Sequence, residues 1–199
     1  MPGPKLDAII VLASQSPNRL RLLQQIGVHP IVKVSNFEEN LPKTLPVSEF
    51  VVETARGKLK ATSDELRQQK THFDALIASD TVIHFEGEII GKPKDLEDAR
   101  VTLRRLRNKS HHVYTGVVVE FSDGSTEDIL EDTVVTFGDV PDRVIDAYVA
   151  SGEPLNKAGS YGIQGAGAVF VKGLEGCYAN VVGLPIYRLH KLLVDRNVL

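Results

Sequence analysis

Residues 8–27, AIIVLASQSPNRLRLLQQIG, join a continuous apolar run directly to an amphipathic segment. The run from Ala8 to Ala13 is rich in β-branched residues, which predicts a buried strand. Ser16 is a favourable N-cap, Pro17 a favourable first helical residue and Gly27 a favourable stop, so a helix is predicted to follow at once. A buried strand that leads straight into a helix is typical of an α/β fold.

The same alternation continues along the chain. Strands are predicted at 74–85, 112–121 and 128–137, helices at 47–69, 95–107, 141–148 and 184–194, and a last strand through Val171 after the glycine-rich stretch 157–167. The predicted fold class is α/β, with a mixed central sheet flanked by helices and two lobes around a cleft. Because no segment has the composition of an interdomain linker, a single domain over 1–199 is expected.

Composition narrows the function. The 199 residues contain 23 Lys+Arg and 26 Asp+Glu, a formal net charge of −3, and 42% are hydrophobic. These values exclude a disordered chain and give no overall attraction to nucleic acid. The one cysteine, Cys177, cannot form an internal disulfide, which favours a reducing compartment. No signal-peptide pattern or membrane-spanning stretch is evident, so a soluble, cytoplasmic protein is predicted.

The first chemically suggestive segment is the junction between the first strand and helix, Ser14-Gln-Ser16-Pro-Asn-Arg19. A helix N-terminus presents free backbone N–H groups and the positive end of the helix dipole, which together attract anions. Two hydroxyls and one guanidinium nearby would complete a small anion site. Ordinary helix capping explains the same residues equally simply.

Two charged residues fall where apolar ones are expected. Lys58 lies beside the apolar stripe of the helix at 47–69, so it must extend to solvent, pair with an acid or reach into a cleft. Asp80 interrupts the buried strand at 74–85. A buried carboxylate is costly unless it is paired, hydrogen-bonded or bound to a cation, so Asp80 is either a functional group or a hydrogen-bonded strand end.

Two loops are further candidates. Lys92, in Gly91-Lys92-Pro93, stands on a stiffened loop and is either a phosphate ligand or an exposed lysine. Gln164 lies in a glycine-rich segment whose spacing is not that of the dinucleotide-binding fingerprint. Its amide both donates and accepts hydrogen bonds, so it suits recognition of a base edge, although a tight turn without a ligand has the same composition.

Together these segments resemble the Maf family of nucleoside triphosphate pyrophosphatases over nearly the whole chain. LASQSPNRLRLLQQIG resembles the family's opening Ser-x-Ser-Pro-Arg-Arg motif, and ASDTVI with GEIIGKP resembles its central motifs. GEPLNKAGSYGIQGAGAVF and YANVVGLPI resemble its closing signatures. The resemblance implies a fold like that of inosine triphosphate pyrophosphatases, a homodimer, and hydrolysis of the α–β phosphoanhydride to a monophosphate and pyrophosphate.

The resemblance also assigns roles to individual residues. Ser14, Arg19, Lys58 and Lys92 match positions that contact phosphates. Asp80 matches the proton acceptor and, with Glu39, supplies oxygen ligands for Mg²⁺ or Mn²⁺. The match around Glu39 leaves its neighbour Glu38 open as an alternative.

Base choice is assigned to Asn18, Thr81 and Gln164. Thr81 and Gln164 resemble the subgroup that acts on dTTP and UTP. Modified pyrimidine nucleotides are further candidate substrates. Asn18 replaces the first arginine of the family's pair, and Asn156 stands where an acidic residue is common. The alternatives are a pyrophosphatase for 7-methyl-GTP or CTP, and a non-catalytic nucleotide-binding regulator of cell division.

Overall fold

The computed structural model describes residues 8–199. Its strands are β1 (Ile10–Ala13), β2 (Ile31–Val32), β3 (Ala75–Phe85), β4 (Glu88–Ile90), β5 (Ser110–Phe121), β6 (Thr126–Phe137) and β7 (Val171–Glu175). Its helices are α1 (Pro17–Gln25), α2 (Val47–Gln68), α3 (Leu96–Leu106), α4 (Asp142–Ala150), α5 (Tyr178–Val182) and α6 (Ile186–Asp195). Short 3₁₀ turns occupy Glu153–Asn156, Ala158–Ser160 and Ala166–Phe170.

The strands form one mixed sheet in the order β2-β1-β3-β5-β6-β7, with β4 paired to β3. β1 runs parallel to both β2 and β3, whereas β3–β4 and β6–β7 are antiparallel pairs. The prediction of an α/β fold with a mixed sheet and flanking helices is therefore confirmed.

Most predicted elements are present within a few residues of their expected ends. Asp95 caps α3 as predicted, because its carboxylate accepts a hydrogen bond from the backbone N–H of Asp98. The prediction of a strand that ends at Val171 is wrong. β7 begins at Val171, and the apolar residues before it form a 3₁₀ turn. Gly167 in this turn lies against the backbone of Gly162, where a Cβ would be 2.8 Å from the Gly162 N and O atoms, and the apolar pattern alone gives no sign of that close approach.

Backbone contacts divide the chain into two compact units. The first contains residues up to Asp80 together with 115–131 and 183–199, and the second contains 81–114 and 132–182. The single domain, the curvature of the sheet and the cleft stay predictions. Residues 1–7, on which part of the interpretation of the N-terminus rests, lie outside the described residues.

In the first unit, α2 packs on the sheet through an apolar stripe. Ala55, Leu59 and Leu66 belong to one buried cluster with Leu76 and Ala78 of β3. Side chains alternate between the two faces of a strand, so the next residue on the face of Leu76 and Ala78 is position 80. The apolar packing therefore places the carboxylate at that position on the side of β3 that faces α2.

The second unit has its own core around α3, α4 and the continuations of β3, β5 and β6. Its buried residues include Ile83, Leu103 and Ile145, together with the ring of Phe137. No described helix, within residues 8–199, is long and apolar enough to cross a membrane.

Candidate active site

A buried ion pair marks the first unit. Lys58 Nζ donates a hydrogen bond to Asp80 Oδ1 at 2.8 Å, and the two side chains are only 12% and 10% exposed. Of the three possibilities for Lys58, the structure therefore shows pairing with an acid. The pair forms because α2 and β3 are packed together by the apolar residues that flank both side chains.

A second carboxylate reaches the same ammonium group. Glu39 Oε1 lies 2.9 Å from Lys58 Nζ, with its side chain 52% exposed. Geometry thus favours Glu39 over its neighbour Glu38 as the acidic residue of this loop. Since Glu39 and Asp80 share one small cation, their carboxylate oxygens lie within about two hydrogen-bond lengths of each other.

The junction between β1 and α1 contributes a hydroxyl and a guanidinium. Ser14 Oγ accepts hydrogen bonds from the backbone N–H of Ser16 at 3.1 Å and from Arg19 Nη1 at 3.3 Å. Ser16 occupies the N-cap position, but its side chain makes no capping hydrogen bond. The predicted capping by Ser16 is therefore not seen, and Ser14 Oγ pairs the N–H of the N-cap residue itself. Asn18 is buried in the first turn of α1.

Arg19 is fixed by a backbone carbonyl close to β3. Its Nε donates to Gly183 O at 2.9 Å, and Ser79 Oγ donates to the same oxygen at 3.4 Å. Burial lowers the pKa of Arg19, and the negative charges of Asp80 and Glu39 oppose that effect. The guanidinium therefore lies close enough to both carboxylates to interact with them.

The carboxylates of Glu39 and Asp80 are oxygen donors of the kind that a divalent cation prefers. Among the described residues, no group of three or more His, Cys, Asp and Glu side chains is arranged to hold a metal ion. Mg²⁺ is commonly held by one or two carboxylates together with substrate phosphates, rather than by a complete protein cage. Glu39 and Asp80 fit this mode of binding, because their carboxylates both contact the Lys58 ammonium group and so lie close together.

The predicted residues of the second unit are organised around its glycine-rich segment. Gly159 donates its backbone N–H to Gly91 O at 3.0 Å. This hydrogen bond fixes one end of the loop that carries the exposed Lys92. Gly159 has φ +67°, and a Cβ there would lie 1.8 Å from Cδ1 of Ile83. Only glycine meets both requirements without a shift of the core.

Gln164 is exposed on a turn that two buried or half-buried side chains hold in place. Tyr148 accepts a hydrogen bond from the N–H of Gly162 at 3.1 Å and donates one to Glu153 Oε1 at 3.2 Å. Glu153 Oε2 in turn accepts the N–H of Ala166 at 3.2 Å. Sequence reasoning missed Tyr148 and Glu153, because nothing in the local pattern links them to a turn so many residues later.

The structure thus brings together Ser14, Arg19, Glu39, Lys58 and Asp80 in the first unit. Thr81 follows Asp80 directly in β3 and is the first residue of the second unit, to which Lys92 and Gln164 also belong. Asn156 is exposed at the end of the 3₁₀ turn Glu153–Asn156.

Comparison with known proteins identifies the family. The family model described as "Maf-like protein" matches residues 9–196. The chain belongs to the Maf family. This Maf-family chain is 44% identical over 189 residues to a protein of Dictyoglomus turgidum named dTTP/UTP pyrophosphatase, covering 92% of this chain and 94% of the relative.

Other relatives carry the same name. The dTTP/UTP pyrophosphatase of Caldicellulosiruptor bescii is 41% identical over 187 residues, covering 92% of each chain. That of Bacillus anthracis is 42% identical over 189 residues, covering 95% of this Maf-family chain and 96% of the relative.

Solved structures with some likeness to the Maf-family chain include two proteins titled Ham1. The protein of Coxiella burnetii has a TM-score of 0.49 and 16% identity, with coverage of 95% of this chain and 100% of the other. The protein of Staphylococcus aureus has a TM-score of 0.47 and 18% identity, with coverage of 65% and 72%.

Proposed function

We propose that this protein is a nucleoside triphosphate pyrophosphatase that hydrolyses the α–β phosphoanhydride of dTTP and UTP. The observation that carries the proposal is the buried Lys58–Asp80 pair, with Glu39 on the same ammonium group and Arg19 beside both carboxylates. Support comes from membership of the Maf family and from relatives named dTTP/UTP pyrophosphatase at 41–44% identity.

Arg19 and Lys58 supply positive charge for the triphosphate. Ser14 Oγ offers a further polar contact at the start of α1, where the positive end of the helix dipole also favours an anion. Arg19 is held by Gly183 O, so little conformational entropy is lost when it binds a phosphate. From the family resemblance, Lys92 is proposed as another phosphate ligand.

Asp80 is proposed as the proton acceptor. Water attacks the α-phosphorus, its proton passes to an Asp80 carboxylate oxygen, and the bond from that phosphorus to the bridging oxygen breaks as pyrophosphate leaves. Lys58 donates a hydrogen bond to Asp80 and holds its carboxylate in place. A buried, oriented base of this kind has no purpose in a protein that only binds nucleotides.

A divalent cation, Mg²⁺ or Mn²⁺, is proposed to be held by Glu39 and Asp80 together with the substrate phosphates. When bound, it would neutralise negative charge on the triphosphate and stabilise the charge that develops on the leaving group. Lys58 contacts both of these carboxylates, so it partly neutralises them while no divalent cation is bound.

Base choice is proposed to depend on Thr81, Gln164 and Asn18. The amide of Gln164 can donate to a pyrimidine carbonyl and accept from the ring N–H. Asn18 provides no charge where the family has an arginine, so the triphosphate meets one cation fewer at α1.

The protein is further proposed to act in the cytoplasm as a homodimer. Light scattering coupled to size-exclusion chromatography at low micromolar concentration tests the dimer. A mass of twice 21.8 kDa is expected, and a monomer mass would contradict it.

The experiment that tests the function uses a panel of nucleoside triphosphates with Mg²⁺ or Mn²⁺, in which pyrophosphate and orthophosphate are followed separately. Pyrophosphate released fastest from dTTP and UTP is the expected result. Faster release from 7-methyl-GTP or CTP would support those alternative substrates instead. Tight UTP binding without any product over hours would favour the regulator.

A further inference from the structure

The contact between Phe37 and Gly57 in the first unit involves none of the predicted site residues. Gly57 lies in the interior of α2, where glycine is among the least favourable residues. A Cβ built on Gly57 would lie 2.3 Å from Cε2 and 2.4 Å from Cζ of Phe37. Cβ atoms in proteins do not approach other atoms so closely, so the absence of a side chain is what lets the Phe37 ring lie on the helix.

The loop that carries Phe37 is attached to α2 at a second point. Ser35 Oγ donates a hydrogen bond to Lys58 O at 3.1 Å and accepts one from the N–H of Phe37 at 3.2 Å. Three alternate residues of the loop therefore contact one short stretch of α2. Ser35 donates to the Lys58 carbonyl, and the Phe37 ring lies against Gly57. Glu39 contacts the Lys58 ammonium group.

Glu39 needs this attachment because its own environment is open. Its side chain is 52% exposed, whereas that of Lys58 is 12% exposed. An exposed ion pair gains little free energy on its own, since water and salt screen it and ordering the side chains costs entropy. The ring packed on Gly57 and the Ser35 hydrogen bonds supply the ordering that the ion pair lacks.

We propose that the contact between Phe37 and Gly57 is a positioning device that holds Glu39 at the Lys58–Asp80 pair. Gly57 and Phe37 are positioning residues and touch neither substrate nor cation. The inference deepens the proposed function and rests on it for its consequence in turnover, whereas the ordering of the loop is independent of it.

The test compares Gly57→Ala, Phe37→Ala and the double variant with the wild type. Alanine at 57 is a better helix former than glycine, so α2 itself should not be weakened. It instead displaces the Phe37 ring. Gly173→Ala is the matched control, because a Cβ at Gly173 meets nothing within 4 Å.

Two readouts besides turnover are measured: amide hydrogen exchange of residues 33–40, and Mn²⁺ binding followed by electron paramagnetic resonance without nucleotide. Both single variants are expected to exchange faster in 33–40, with exchange in α1 unchanged. Mn²⁺ affinity and kcat/KM are each expected to fall by about tenfold to a hundredfold, as is usual for partners of metal ligands. The control should match the wild type.

The double variant decides whether the two residues act through one contact. If they do, it should be no worse than Phe37→Ala alone, because the clash disappears with the ring. Additive losses, or wild-type exchange and Mn²⁺ affinity in Gly57→Ala, would overturn the proposal. A wild type that hydrolyses no nucleotide while the loop still responds to Gly57→Ala would refute the proposed function and leave the positioning role standing.

Discussion

Lys58 Nζ lies 2.8 Å from Asp80 Oδ1, and the two side chains are largely buried. A buried ion pair is weak support for stability, because desolvation of two charges offsets much of their attraction. Its position between α2 and β3, with Glu39 and Arg19 alongside, instead favours a role in chemistry.

Asp80→Asn should retain the fold and lose turnover. Asparagine has nearly the same shape but cannot accept the proton of the attacking water, so kcat is expected to fall by about 10²- to 10⁴-fold. Circular dichroism and pyrophosphate release from dTTP are the measurements. Asp64→Asn, in an exposed pair with Lys60, is the matched control and should leave kcat unchanged. Near wild-type kcat in Asp80→Asn would remove this residue from the chemistry.

Lys58→Met should separate cation binding from turnover. Without the ammonium group, Asp80 and Glu39 lose the cation that they share and Arg19 is the positive charge that remains beside them, so Mn²⁺ is expected to bind more tightly in the absence of nucleotide. Hydrolysis should nevertheless slow, because a triphosphate-binding cation is lost. Titration calorimetry with Mn²⁺ and steady-state kinetics test the two effects. Lys60→Met, on the same helix with a 75% exposed side chain, is the control. Weaker Mn²⁺ binding would contradict the interpretation that the Lys58 ammonium group competes with a metal ion for Asp80 and Glu39.

Gln164→Glu should change base preference more than stability. The side chain is exposed on its turn, so the free energy of unfolding should hardly change. A carboxylate can only accept hydrogen bonds, so kcat/KM for UTP should fall by about tenfold or more relative to bases that offer an amino group, such as that of CTP. Gln68→Glu adds the same charge at the end of α2 as a control. An unchanged profile in a mixed-nucleotide competition assay would exclude base recognition by Gln164.

His111 should make the folded state sensitive to acid. It is buried against Tyr161, whose hydroxyl lies 2.8 Å from His111 Nε2. Burial, and after it the charge of His112, lowers the pKa of His111 to about 4. In the unfolded chain the imidazole titrates near about 6.5. Below that pH the unfolded state binds a proton that the folded state does not, so stability falls as the pH drops from about 6.5 towards about 4.

The expected contribution of His111 is a loss of about 2 kcal/mol between neutral pH and about pH 5. Urea unfolding at the two pH values measures the free energy of unfolding. Over that interval His111→Gln should lose about 2 kcal/mol less of it than the wild type does. His72→Gln is the control, because the His72 side chain is 67% exposed. Equal pH dependence in His111→Gln and the wild type would show that His111 is not the group responsible.

Local sequence signals predicted much of the fold. The apolar run before Ser14 predicted β1, and Asp95 as a cap predicted the start of α3. Pro17 and the apolar spacing after it predicted α1. Asp80 was identified because a carboxylate inside an apolar strand must have a partner, and the partner proved to be Lys58. These predictions succeeded where a residue's own neighbours determine its environment.

Contacts between distant segments could not be predicted in the same way. The choice between Glu38 and Glu39 depends on how the loop lies over α2, and periodicity carries no information about that. The 3₁₀ turn before β7 depends on a close approach of Gly167 to the backbone of Gly162, which an apolar pattern does not reveal. Gly57 did offer one local signal, since a glycine in the interior of a long helix usually allows a close approach.

Hydrolysis of dTTP in ¹⁸O-labelled water, with both products analysed by mass spectrometry, tests the bond cleaved and the atom attacked in one experiment. We expect one labelled oxygen in the nucleoside monophosphate, unlabelled pyrophosphate, and much slower formation of both products in the Asp80→Asn variant. Labelled orthophosphate with a nucleoside diphosphate as the other product would show that the γ-phosphate is the target, and would contradict the proposed reaction.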